Sequence, residues 1–212
     1  MVSSPQQSRA RLVALPSPTL AQADDVTLAR AASSGDPRAT SVLWDRFSPL
    51  VRRMLRRTLG PTAEVEMLLQ EVFLRALSQL VSLPESAQLK PFVVAVTVRV
   101  LSGELRRNRM RRLLRLQSPW HTSDLVSSDP ATRTALSSLY RILDELDVDA
   151  RLAFTLRHFE GLQITELASA MDASVSSAKR RLARANARVQ AAVSRDAAFS
   201  AYATATTLGD TP

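Results

Sequence analysis

The stretch Gln163–Val189, QITELASAMDASVSSAKRRLARANARV, decides how the chain is read. It holds two short helical segments around a polar turn. At 100° per residue, Ala178, Leu182, Ala185 and Val189 collect on one side of the second segment. Ser177, Arg180 and Arg184 fall near the opposite side, with Arg181 and Arg188 at its flank and Lys179 on the other flank. ITELASAM supplies a bracing helix, and DAS supplies the turn, with Ser174 placed as an N-cap. A small apolar seam under a Ser/Arg face suits a helix that enters a major groove. There arginine forks onto guanine O6/N7 or a phosphate. The same pattern also describes a solvated helix face, and the stretch alone leaves both readings open.

The rest of the composition narrows the choice. The 212 residues carry 28 basic and 20 acidic side chains, a net charge of +8. Only Lys90 and Lys179 are lysine. An arginine excess suits phosphate and base-edge contacts, because the guanidinium is a planar fork; a GC-rich genome would also produce it. The charge is segregated. From Arg99 to Arg115 there are seven arginines against Glu104 alone, and from Lys179 to Arg195 six basic residues and no acid. Between them, Asp124–Asp172 holds nine acids against four arginines. Two basic stripes around an acidic middle suggest two separate contacts with a polyanion. With no cysteine, disulfides, thiolate metal sites and a cysteine nucleophile are excluded. No apolar run approaches the ~18 residues of a membrane span, and the N-terminus lacks the apolar region of a signal peptide, so a cytoplasmic protein is expected.

Glycine is scarce and Leu and Ala dominate, which predicts an all-α fold. The expected layout is a tail (1–23), a helical domain (24–115), a short flexible Ser/Asp/Pro-rich linker (116–131), a second helical domain (132–195) and a C-terminal tail (196–212). In the first domain, Asp24-Asp25 suits a helix start, Gly35 ends that helix, and Asp36-Pro37 caps the next. FSPLVRRMLRRTLGP sets Val51, Met54, Leu55 and Leu59 on one face, with Arg52, Arg53, Arg56 and Arg57 beside and opposite it. EVEMLLQEVFLRALSQL places Val65, Leu68, Leu69, Val72, Phe73, Ala76, Leu77 and Leu80 on a single helical face. Gln70, Glu71 and Leu74 turn away from it. After a loop over 82–91, PFVVAVTVRVLSGELRRNRMRRLLRL reads as a buried helix that becomes basic. In the second domain, TALSSLYRILDEL and DARLAFTLRHFEG each carry a leucine stripe, with Gly161 as a C-cap.

Here the residues resemble a known family. LDELDVDARLAFTLRHFEGLQITELASAMDASVSSAKRRLARANARV is similar to region 4 of sigma-70-family RNA polymerase sigma factors of the extracytoplasmic-function (ECF) group. LLQEVFLRAL resembles the region 2.2 signature, and PFVVAVTVRVLSGELRRNRMRR resembles the region 2.3–2.4 helix. Order and spacing both fit, and the short linker matches the ECF group, which lacks region 3.

The resemblance implies a sigma factor with core RNA polymerase and promoter DNA as partners, and it admits an anti-sigma factor. It assigns Gln70, Glu71 and Leu74 to docking on the polymerase clamp coiled coil, and the second domain to the −35 element and the polymerase flap. On the recognition helix Ser177, Lys179, Arg180, Arg181 and Arg184 are the expected −35 contacts. Lys90, at the end of the loop, and Arg99, Ser102, Arg106 and Arg107 are the expected −10 contacts, while the run Arg109–Arg115 offers general phosphate attraction. Two departures stand out. Met67 occupies the place of an acidic residue in region 2.2, and Phe92 is the only aromatic available to stack on an unpaired base. A stand-alone helix–turn–helix regulator and a non-initiating module that sequesters an anti-sigma partner are the rival readings. His121 and His158 have no metal-ligand spacing, and Trp44 and Trp120 read as packing anchors. No P-loop, nucleophile elbow or HExxH motif occurs. Neither a cofactor, a metal nor catalysis is expected.

Overall fold

The computed structural model describes residues 20–60, 64–84, 88–114 and 129–199. The tails over 1–19 and 200–212, and with them most of the expected linker, Trp120 and His121, lie outside the described residues.

Eight α-helices follow a short 3-10 turn among these residues. Local chemistry sets most of their ends. Asp24 accepts the Thr27 N–H at 2.7 Å and starts α1, Asp25–Ser33. Gly35, at φ 83°, reverses the chain and donates to the Ala32 carbonyl at 3.0 Å. Asp36 accepts the Arg38 N–H at 2.8 Å and opens α2, Pro37–Leu59. Pro49 does not end that helix: Asp45 and Pro49 are both exposed, so the lost hydrogen bond falls on the solvent side. Next is α3, Val65–Leu80, with Val65, Leu68, Leu69, Val72, Phe73, Ala76 and Leu80 buried. Trp44 of α2 stacks at 4.6 Å on Phe73.

The valine run forms a helix, α4, Leu89–Leu113. Its β-branched residues survive there because Val93, Val94, Val96, Val98 and Val100 are buried on several sides, and burial outweighs weak propensity. Its N-cap Gln88 makes no side-chain bond; Asp25 of α1 instead accepts the Leu89 N–H at 2.8 Å. Lys90 therefore stands in the first turn of α4, not at a loop end.

The second unit begins with α5, Pro130–Glu145, at Pro130 rather than at 132. Asp129 caps it, accepting the Thr132 N–H at 2.8 Å. Then come α6, Val148–His158, α7, Ile164–Ala170, and α8, Val175–Val193. The two units are packed on each other. Leu152, Ala153 and Leu156 of α6 and Leu167 and Ala168 of α7 share one continuous core with α1–α4. A smaller core of Ile142, Leu143, Leu146, Ala150, Ala185 and Val189 joins α5, α6 and α8.

Candidate nucleic-acid interface

The turn between α7 and α8 sets the angle of the basic helix. Ala173 donates to the Ala168 carbonyl at 2.9 Å and Asp172 to the Ser169 carbonyl at 3.1 Å, the two bonds of a Schellman motif. Asp172 takes the left-handed position, φ 48°, that glycine usually fills. At the other end of α7, Gln163 and Glu166 form a reciprocal capping box. Ser174 then caps α8 by accepting the Ser177 N–H at 3.2 Å. Ala178, Ala185 and Val189 are buried beneath the helix, and these small residues let α8 lie close on α6.

The arginines of α8 divide into two sets. Arg181 pairs with Asp149 at 3.0 Å and Arg184 with Asp147 at 3.5 Å, both acids lying at the start of α6. Asp147 also caps α6, accepting the Ala150 N–H at 2.8 Å. Arg180 is exposed and, among the described residues, reaches only the Ser177 hydroxyl, at 3.4 Å. Lys179 and Arg188 are exposed and make no ion pair among the described residues. Ser177 is half-buried within the hydroxyl cluster of the cap, whereas Ser176 is exposed. The outward face is therefore built on Ser176, Lys179 and Arg180, with Arg181 turned toward α6. Ser176 was missed from sequence because the helical wheel fixes angles along one helix and not which flank α6 covers.

On α4, Arg99, Ser102 and Arg106 follow one another at helical spacing along one stripe. Arg99 and Arg106 are exposed and Ser102 is half-buried; Arg99 donates to the Gln79 side chain at 2.7 Å. Lys90 is not brought to this stripe: at 100° per residue it projects to the opposite side of the helix from Arg99. Arg107 turns toward α3, 2.8 Å from Glu104 and 4.0 Å from Glu71. The distal run is not uniformly free. Arg111 pairs with Glu104 at 2.5 Å and Arg112 with Asp144 at 2.5 Å, while Arg109 is exposed. Phe92 is half-buried against the core, so the only aromatic of that stretch is partly covered.

The outward side of α3 is apolar at its centre. Leu74 is 70% exposed, flanked by Met67 at 60% and Val81 at 75%. Residues 67, 74 and 81 repeat every seven, which at 100° per residue keeps them near one line of the helix surface. Gln70 is exposed beside them, and Glu71 is held by Arg75 at 2.6 Å. Met67, a departure when aligned with an acidic position, thus belongs to this exposed stripe. The seven-residue spacing was present in the sequence, hidden behind the stronger pattern of the buried face.

Of the remaining singled-out residues, His158 shares a hydrogen bond with the Asn186 side chain at 2.8 Å and stacks on Phe154. No group of metal-ligating side chains occurs among the described residues. No helix among them is long and apolar enough to cross a membrane.

Residues 43–127 match sigma-70 region 2, and residues 136–189 match sigma-70 region 4. The RNA polymerase sigma factor NccH of Alcaligenes xylosoxydans xylosoxydans is 25% identical over 79% of this chain and 93% of its own. The RNA polymerase sigma factor SigZ of Bacillus subtilis (strain 168) is 23% identical over 70% of this chain and 83% of its own. Among solved structures, CnrH in complex with the cytosolic domain of CnrY shares the fold, with a TM-score of 0.59 and 23% identity over 81% of this chain and 98% of that one. The sigma factor RpoE in complex with the anti-sigma factor NepR from Bartonella quintana does so at 0.53, with 18% identity over 72% of this chain and 95% of that one. Both halves of the chain, in order, carry the regions of one family: the protein belongs to the sigma-70 family of RNA polymerase sigma factors, in the ECF group, and serves promoter-directed transcription initiation.

Proposed function

We propose that the two helical units divide the work of initiation. The α1–α4 unit docks on the polymerase clamp through Met67, Gln70, Glu71, Leu74 and Val81, and meets the −10 element with Arg99, Ser102 and Arg106. The α5–α8 unit meets the −35 element with Ser176, Lys179 and Arg180, with Ser177 as helix cap and Arg181 and Arg184 as flank residues, and it contacts the polymerase flap. The observation that carries this division is the placement of an exposed apolar stripe on α3 and two separate exposed basic faces on α4 and α8. The polymerase performs the chemistry, and this protein acts in the cytoplasm without a catalytic site of its own. An anti-sigma protein is a further partner, since the structural neighbours include sigma–anti-sigma complexes.

Run-off transcription tests the reading. Core polymerase and a library of promoter fragments are incubated with and without the protein. Protein-dependent transcripts from a defined −35/−10 pair are expected. Polymerase binding without any transcript would leave only the interaction module, and no polymerase binding would leave the stand-alone regulator.

A further inference from the structure

The head of the basic helix carries a side chain that charge does not explain. Val175 is the first residue of α8 and is 39% exposed. Among the described residues it is the only large apolar side chain exposed in the α5–α8 unit; the others all lie at or before Leu114.

Its place in the helix shows why it stays uncovered. At 100° per residue Val175 lies near the line of Leu182, a side chain packed against the core. One turn along, Ala178 is fully buried. Ser174, Val175 and Ser176 are all exposed, so the start of α8 projects past the packing that covers Ala178. Nothing in the local fold asks for valine there. The cap is Ser174, which accepts the Ser177 N–H at 3.2 Å, and valine is a weak helix former.

The surroundings indicate what would cover it. Ser176, Lys179 and Arg180 stand exposed on the same end of the helix. The Ser174 and Ser176 hydroxyls share a hydrogen bond at 3.0 Å. A protein partner would be met by a contiguous apolar centre inside a polar rim, and a lone valine among hydroxyls and cations offers no such centre. The major groove fits it better. The first turn of a recognition helix faces base edges, and thymine alone presents a methyl group there, amid hydrogen-bonding atoms and flanking phosphates.

We propose that Val175 is a specificity-determining residue that packs on the C5-methyl of one thymine in the −35 element. The inference deepens the −35 assignment above and rests on it. Arg180 and Lys179 supply forked and point-charge contacts, while Val175 takes one methyl group out of water. Its selection is chiefly against cytosine. Both pyrimidines fit beside the valine, but cytosine has no methyl to bury and leaves the side chain against a bare ring edge.

Deoxyuridine gives the test, since it removes the thymine methyl and keeps every hydrogen-bonding atom of the base. Holoenzyme is assembled from core polymerase and the full chain, on a promoter taken from the run-off library. Each thymine of the −35 element is replaced by deoxyuridine in turn. One position should cost about fourfold in holoenzyme affinity, the worth of a single buried methyl group. Val175→Ala should bind the thymine and deoxyuridine promoters equally, near the level of the unaltered protein on deoxyuridine. Alanine is the better helix former, so this variant keeps α8. Deoxyuridine tolerated at every position would overturn the contact, as would a −35 element without thymine. The same deoxyuridine penalty in Val175→Ala would also overturn it, by assigning the effect to DNA shape or another side chain. A holoenzyme indifferent to the whole −35 sequence would instead sink the −35 assignment, and the contact with it.

Discussion

Arg181 on α8 lies 3.0 Å from Asp149 at the head of α6, whereas its neighbour Arg180 meets no acid among the described residues. Adjacent arginines thus have different work. Arg180 is free to reach a base edge or phosphate; Arg181 ties the helix to its support.

The first prediction follows from that difference. Arg180→Ala should weaken −35-containing DNA by about 1–3 kcal/mol if it forks onto a base, with polymerase binding unchanged. Arg181→Ala should shift stability by roughly 0–1 kcal/mol, as expected of a partly exposed ion pair, and alter DNA affinity less. Fluorescence anisotropy with −35 duplexes and thermal melts check both. Equal losses of DNA affinity would refute the division.

The apolar stripe of α3 gives the second. Leu74→Asp places a charge at the centre of Met67, Leu74 and Val81, on a side chain 70% exposed. Folding stability should move by no more than about 0.5 kcal/mol, as for most surface positions. Affinity for core polymerase should fall at least tenfold. Normal holoenzyme assembly in a pull-down titration would remove this face from the docking assignment.

The turn of the helix–turn–helix gives the third. Asp172 holds φ 48° with a Cβ that opposes it. Asp172→Gly should stabilise the protein by about 0.5–1 kcal/mol, the left-handed strain relieved being partly offset by glycine's freedom in the unfolded chain. Denaturant melts measure it, and a lower midpoint would contradict the strain argument.

Acid sensitivity is the fourth. The Thr27 amide bound to Asp24, the Arg52 guanidinium bound to Glu66, and the Thr132 hydroxyl and amide bound to Asp129 hold these three carboxyls below their ordinary values. A carboxyl depressed on folding stabilises fully above its unfolded value, about 4, and that stability fades as pH falls through the folded value. The melting temperature should therefore decline below about pH 4. Asp24→Asn with Asp129→Asn keeps both caps, since asparagine caps as well, and should flatten that limb. An unchanged limb would assign the acid lability elsewhere.

Much of this was legible in the chain itself. The stripe from Val65 to Leu80 predicted α3 and its buried face, because side chains at i, i+3 and i+4 share a side whatever lies opposite. Asp36-Pro37 and Ser174 marked helix starts because a cap bonds within three residues. The valine run of α4 was read as a helix despite its strand propensity, and burial explains why that holds.

What sequence alone determined here is local: the all-α class, the caps, the buried faces and the two basic helices in their order. Each depends on bonds or periodicity spanning a few residues. Tertiary structure decided which polar residues meet across the molecule. Arg151 and Thr58 are 93 positions apart and Arg53 and Glu160 are 107 apart, and nothing near any of them distinguishes a buried charge from a solvated one. Arg181 and Arg112 likewise fell into basic stripes when read in line, yet acids on other helices hold them. A charge shows its partner only when packing brings distant segments within a few ångströms, because the pairing energy falls with distance and with exposure to water.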